Sequence, residues 1–265
     1  MFRGAIKLVW DRRPSAKPGQ VGCSLLRNRS EPRDSWPAIQ RHCCRLFSDC
    51  VQQAEDTWIT LDNALTFENH VNDVVKACNY HMRALRRFRR SLTHDVAKTL
   101  ACSIAGYRID YCNALLFGAT DEVIDKIQHV QNNLASIVNN VSIRQLHQSE
   151  LNSLDLLRGL HCMPIRSRIE YNISALCYNA YRPNQPSYLA SLLTMYASSC
   201  LLCSTTQDQL VRFPSDTKTS SRWFSCTAPQ VWNNLLASIR RAPSVDSFKM
   251  QLKTHLYRLN FQWRT

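Results

Sequence analysis

The 265-residue chain carries 33 Lys and Arg against 20 Asp and Glu, a formal net charge of +13, with 12 Cys and only 6 Gly. Its length fits one or two domains, and a 45% apolar content is enough for a sizeable core. All the glycines lie between Gly4 and Gly159, no G-x-G-x-x-G or G-x-x-x-x-G-K-[ST] phosphate loop occurs, and so few glycines disfavour a turn-dense all-β fold.

The charge excess points to polyanions, nucleic acid or anionic lipid, as charged partners. So many cysteines would suggest a disulfide framework in a small secreted chain. Here the start, Met1 to Arg13, has no apolar stretch long enough for a signal peptide. Most cysteines fall at core-like helical positions, where a thiol acts as a small hydrophobe. An intracellular protein of the nucleus or cytoplasm, not secreted, is therefore expected. No segment approaches a membrane span. Asp11, Glu31 and Asp34 weaken a mitochondrial presequence reading of the Arg-containing start.

In residues 1–55, Pro14, Pro18, Pro32 and Pro37 interrupt any period, and this segment reads as an irregular or disordered leader. A short β-type run spans Thr57 to Leu61, closed by a turn at Asp62-Asn63. Phe67, Val71, Val74/Val75, Cys78, Met82 and Leu85 then mark one face of a long helix. Thr93 with Asp95 starts the next helix, whose stripe runs Val96, Leu100, Ile104, Tyr107, Tyr111, Leu115, with Gly118 as its C-terminal cap. Thr120, Asp121 and Glu122 open a strongly amphipathic helix with Val123, Ile127, Val130, Leu134, Ile137 and Val141 inward.

A short helix from about Ser149 to Arg158 ends at Gly159, and Pro164 opens another with Ile165, Ile169, Ile173, Leu176/Cys177 and Ala180 inward, stopped by Pro183 and Pro186. Residues 186–193 form a short helix. Residues 197–222 are Ser/Thr-rich with one strand-like run, Gln209 to Phe213. Pro229 to Leu236 can form a helix, and Ser244 caps a last one with Phe248, Leu252, His255/Leu256 and Leu259 inward. The expected class is mainly α: a helical bundle followed by a smaller mixed helix/short-strand region.

Arg83, Arg86, Arg87, Arg89 and Arg90 crowd the end of the first long helix, with Lys76 two turns earlier. Guanidinium groups grip phosphate oxygens bidentately, so such a row can follow a nucleic-acid backbone without reading sequence. The same row also suits a solvated helix end favoured by the negative pole of the helix dipole. Cys200-x-x-Cys203 lacks a second ligand pair: His161, Cys162, Cys226 and His255 show no paired spacing, and His42, Cys43, Cys44 and Cys50 match no zinc pattern. Nothing assembles a Cys–His nucleophile, and Asp110 and His94 read as structural. No metal and no cofactor is expected.

Several stretches, taken in order, carry a resemblance: W-I-T-L-D-N-A-L-T-F-E-N-H (58–70), L-T-H-D-V-A-K-T-L (92–100), Y-R-I-D-Y-C-N-A-L-L-F-G (107–118), V-Q-N-N-L-A (130–135), L-H-C-M-P-I-R-S-R-I-E-Y (160–171), P-S-Y-L-A-S-L-L (186–193), F-S-C-T-A-P-Q-V-W-N-N-L (224–235) and A-P-S-V-D-S-F-K-M-Q-L-K-T-H-L (242–256). Together they resemble the C-terminal, thumb and post-thumb, part of reverse transcriptases from non-LTR (LINE-type, jockey-like) retrotransposons. The resemblance implies a thumb-like helical region over 56–145 and a post-thumb region over 146–265, leaving 1–55 without counterpart. It also implies a thumb helix that grips template–primer duplex through Lys76, Arg83, Arg86, Arg87, Arg89 and Arg90.

Two departures stand out. Where the family tends to have Arg-x-x-Arg-Ser, this chain has Cys200 and Cys203, each one C-to-T transition from an Arg codon. Where the family has L-H-W-L-P, Cys162 replaces the Trp. The family's polymerase joins nucleotides with Mg²⁺ held by an aromatic-Ala-Asp-Asp motif in its palm. No Asp-Asp dipeptide occurs here. The resemblance therefore implies a truncated RNA-directed DNA polymerase fragment that is not an enzyme as it stands. It would bind nucleic acid non-specifically, without a membrane, and self-associate through a face that a palm would cover. A host-adopted helical nucleic-acid- or protein-binding module and an inert translated relic are the alternatives.

Overall fold

A computed structural model describes residues 59–60, 62, 65–141, 152–182, 186–196, 208–215, 217 and 219–261. These residues are mainly helical, as expected, with no strand among them and a single isolated antiparallel bridge, Met195 to Leu210. The leader, most of the β-type run at 57–61, the cysteine cluster at 42–50, the Cys200/Cys203 pair and the 145/146 boundary lie outside the described residues. The described residues form two compact units. One runs to Cys112 and resumes from Thr120 to Cys162; the other holds Asn113–Ala119 and the chain from Met163 onward.

The first unit opens where the Asp62 carboxylate accepts from the Thr66 amide and hydroxyl. Helix α1 follows, Glu68–Phe88, with Val71, Val74, Cys78, Met82 and Leu85 buried on the face their spacing predicts. His70 and His81 are buried with them. A 3₁₀ turn, Arg89–Ser91, leads to α2, His94–Ala101, whose N-terminus is capped as expected by the Thr93 side chain accepting from the Val96 amide. The chain then makes a π turn, Cys102–Gly106, before α3, Tyr107–Asp110. The wider turn inserts a residue into the stripe, so Ile104, Ala105 and Ile109 are buried while Tyr107 and Tyr111 are only half-buried.

The helix does not continue to Leu115. Tyr111 is extended and Cys112 is left-handed at φ 56. No Gly or Pro marks this break.

Helix α4, Asp121–Val138, lies along α1 and buries Val123, Ile124, Ile127 and Val130. Each such aliphatic side chain contributes about 1.5–3 kcal/mol by leaving water. Lys126 pairs with Glu68 across the two helices at 2.7 Å. At the end of α4, the Val141 amide donates to the Ser136 carbonyl and the Asn140 amide to the Ile137 carbonyl, with Asn140 left-handed at φ 54. This is the Schellman pattern. Helix α5, Ser153–Gly159, packs on α4 and ends the same way, with bonds from Cys162 to Leu157 and from His161 to Arg158. The left-handed residue there is His161, φ 56, and not the expected Gly159, which stays helical.

The second unit is built on α6, Ile165–Tyr181, whose predicted stripe is buried at Ile165, Ile169, Ile173, Cys177 and Ala180. The 3₁₀ turn Asn113–Leu116 sits against it, with the Asn172 amide donating to the Asn113 side-chain oxygen at 2.6 Å. Gly118 is left-handed, φ 70, and a Cβ there would meet Arg222 Cγ at 3.0 Å. The Arg222 guanidinium crosses this point to donate to the Leu115 and Phe117 carbonyls.

After the short α7, Ser187–Ala190, helix α8 runs Phe224–Asn233, starting before Pro229 and not at it. The turn α9, Ala237–Arg240, precedes α10, Val245–Phe261, which the Ser244 side chain caps by accepting from the Ser247 amide. Phe248, Leu252 and Leu256 are buried as expected; Leu259 is 51% exposed. Its place near α6 is taken by Asn260, whose amide donates to Ser167 Oγ at 2.8 Å. Tyr178, Trp232 and Phe248 form an aromatic core, Tyr178 and Phe248 stacked at 4.3 Å.

Candidate nucleic-acid interface

The cationic row sits on α1 and the turn after it. At ~100° per residue, Lys76, Arg83 and Arg87 fall within ~40° of one another, directly opposite Val74, Cys78 and Leu85. Burying that apolar stripe against α4 therefore turns these cations outward. Lys76, Arg83, Arg86, Arg87 and Arg90 are all exposed. Among the described residues no carboxylate pairs with any of them. The nearest acids on the helix have other partners: Glu68 holds Lys126, and Asp73 accepts from the Thr60 hydroxyl at 3.3 Å.

The helix dipole favours Arg86 and Arg87, which lie in the last turn. It does not reach Lys76, three turns from that end, so the dipole accounts for only part of the row.

Arg89 departs from the expected row. Its Nε donates to the Ile137 and Val138 carbonyls at 3.1 and 2.9 Å. Its two terminal nitrogens donate to Leu92 and Val138 carbonyls at 2.9 and 2.7 Å. Arg89 thus caps the C-terminal end of α4, and its donors face backbone carbonyls instead of phosphate. The helical register is the cause: at ~100° per residue Arg89 lies ~140° from Lys76, one turn after Leu85 on the stripe side that packs against α4.

Tyr80 was absent from the sequence-based site. It lies four residues after Lys76 and three before Arg83, and is 63% exposed. Its ring meets the His81 ring edge-on at 5.2 Å. The same three- and four-residue spacing that groups the cations would have found it.

Elsewhere the chemistry is sparse. No group of three His, Cys, Asp or Glu among the described residues is placed to hold a metal ion. Burial pushes the Cys112 thiol up to about 12, against a lowering hydrogen bond with Tyr111, so it carries almost no thiolate at neutral pH. Burial raises Cys177 as well. No helix among the described residues is long and apolar enough to cross a membrane. No protein-family model, curated protein sequence or solved structure matches the chain.

Proposed function

We propose that the chain is the thumb and post-thumb portion of a non-LTR retrotransposon reverse transcriptase. It holds nucleic-acid backbone without reading sequence and, lacking the palm carboxylates, does not itself join nucleotides. The observation that carries the binding half is the row Lys76, Arg83, Arg86, Arg87 and Arg90 on α1 and the turn after it, exposed and unpaired among the described residues, with Lys76, Arg83 and Arg87 opposite the core stripe. The helix fixes the backbone beneath these guanidinium groups, so gripping phosphate orders side chains alone, at about 0.5–1.5 kcal/mol each. The order of the motifs between residues 58 and 256 supports the family reading.

Each engaged charge releases counterions, so affinity for duplex DNA should fall with salt at a log–log slope of roughly −0.9 per phosphate neutralised. The variant Arg83→Ala/Arg87→Ala/Arg90→Ala should make that slope shallower by about two to three and weaken all sequences alike. The helix persists in this variant, since Ala is the best helix former and the inward stripe is untouched. Circular dichroism checks that first. An intact fold with an unchanged slope would reduce the row to a solvated helix end.

A further inference from the structure

Tyr80 is the one large aromatic on the exposed side of α1, and it stands inside the cationic row. At ~100° per residue it lies within ~60° of Lys76, Arg83 and Arg87. The row from Lys76 to Arg87 is ~16 Å long at 1.5 Å per residue, and Tyr80 interrupts it near its first third. The ring is not packed into the core; at 63% exposure most of its surface meets water. Beneath it, His81 is 3% exposed and meets it edge-on, so a buried ring holds the Tyr80 ring from one side.

Cations that track phosphates, with an aromatic face between them, are the two elements of single-strand binding. A duplex hides its base faces inside the stack and offers this helix only phosphates and groove edges. A single strand offers both phosphates for the cations and a base face for the ring. An anionic membrane fits less well. An interfacial helix buries a broad apolar face in lipid, and the apolar face of α1 is already occupied by α4 and by the helices around it.

We infer that Tyr80 is a base-stacking platform set within the phosphate-binding row, and that this surface takes single-stranded nucleic acid in preference to duplex. The inference rests on the reading that the row binds phosphate.

The test uses the full chain with three probes: a short oligothymidylate, an oligomer of the same length made of abasic sites, and a duplex of matched length. Tyr80→Ala should weaken oligothymidylate binding about tenfold, the loss of one stacked base, and leave the abasic oligomer and the duplex unchanged. Tyr80→Phe should keep the wild-type preference, because the ring face remains. Tyr80 is 63% exposed, so neither variant perturbs the core. Equal losses on oligothymidylate and abasic probes would overturn base stacking. No loss for Tyr80→Ala, with Arg83→Ala/Arg87→Ala/Arg90→Ala still weakening every probe, would overturn the role of Tyr80 and leave the phosphate reading standing. An Arg variant that weakens nothing would remove the phosphate reading itself. Binding to phosphatidylserine vesicles that depends on Tyr80, with oligothymidylate binding unaffected, would overturn the assignment to nucleic acid.

Discussion

Arg87 and Arg89 are two residues apart and carry the same group, yet the fold uses them in opposite ways. Arg87 ends on the solvent side of α1 without an ion pair among the described residues, while Arg89 donates to Ile137, Val138 and Leu92 carbonyls. The last carbonyls of any α-helix lack intrahelical donors. Those of α4 are met partly by the Schellman bonds from Asn140 and Val141 and partly by Arg89. Hydrogen bonds with a charged partner contribute roughly 1.5–3 kcal/mol, so Arg89→Ala should destabilise the chain by about that amount. Arg83→Ala, at an exposed site, should stay within about 0.5 kcal/mol of wild type. Arg89→Lys should recover only part of the loss, since one ammonium nitrogen cannot replace three separated guanidinium nitrogens that reach the Ile137, Val138 and Leu92 carbonyls. Urea unfolding midpoints at constant slope read all three. Equal stability for Arg89→Ala and Arg83→Ala would show that the α4 cap contributes nothing.

At the scale of elements, the second unit is held together by contacts that join residues far apart in sequence. Asp208, left-handed at φ 63, is the centre of one set. Its carbonyl accepts from Trp232 Nε1 at 2.7 Å and from Arg240 at 3.1 Å, and its carboxylate pairs with Arg241 at 3.0 Å. Asn233 makes the adjoining contact: its amide donates to the Leu210 carbonyl at 2.8 Å, and its side-chain oxygen accepts from the Leu210 amide at 2.9 Å. One side chain thereby mimics a neighbouring strand for a segment that has only an isolated bridge to Met195. The Trp-Asn pair of the 224–235 stretch fastens residues 208–210 to α8.

Asn233→Ala should cost about 1–3 kcal/mol, because the buried Leu210 groups lose their partners. Asn233→Asp should be no better: it keeps the acceptor for the Leu210 amide but sets a carboxylate oxygen against the Leu210 carbonyl. Amide exchange at Leu210 reports this locally, and faster exchange is expected in both variants. A Leu210 amide as protected in Asn233→Ala as in wild type would refute the two-bond account.

Neither contact is legible from spacing, whereas the α1 and α6 stripes are, since regular three- and four-residue steps encode a buried face directly. The break at Tyr111 escaped for a related reason: the three- and four-residue steps run on through Tyr111 to Leu115, although Tyr, Cys and Asn are weak helix formers, and Asn113 beyond the break bonds Asn172 on α6. For the candidate site, a helical wheel suffices to group Lys76, Arg83 and Arg87. The same wheel sets Arg89 apart, ~140° from Lys76 and one turn after Leu85, although its place in a run of five Arg in eight residues groups it with the others.

For the whole molecule, the +13 charge and the buried histidines make acid the condition to examine. Protonating the eight histidines adds up to eight charges to a chain that already repels itself. That repulsion acts between exposed charges, and salt screens it beyond about 10 Å at 0.1 M. His70 acts differently. Burial lowers its pKa from 6.5, with Asp73 pulling weakly the other way. The folded chain thus holds this ring neutral at a pH where the unfolded chain already protonates it. The unfolded state then binds the extra proton, and stability falls as pH drops through about 6.5 toward the lower folded-state value. Well above 6.5 the contribution is fully present.

Salt cannot remove this second effect, because it comes from desolvation of one ring in the core. Unfolding free energy should therefore fall between about pH 7.5 and about pH 5.5 at low salt, and added salt should restore only part of the loss. His70→Gln, which cannot take a proton, should flatten the part that salt leaves. A wild-type profile already flat at high salt would contradict the role given to His70 and assign all of the acid sensitivity to net charge.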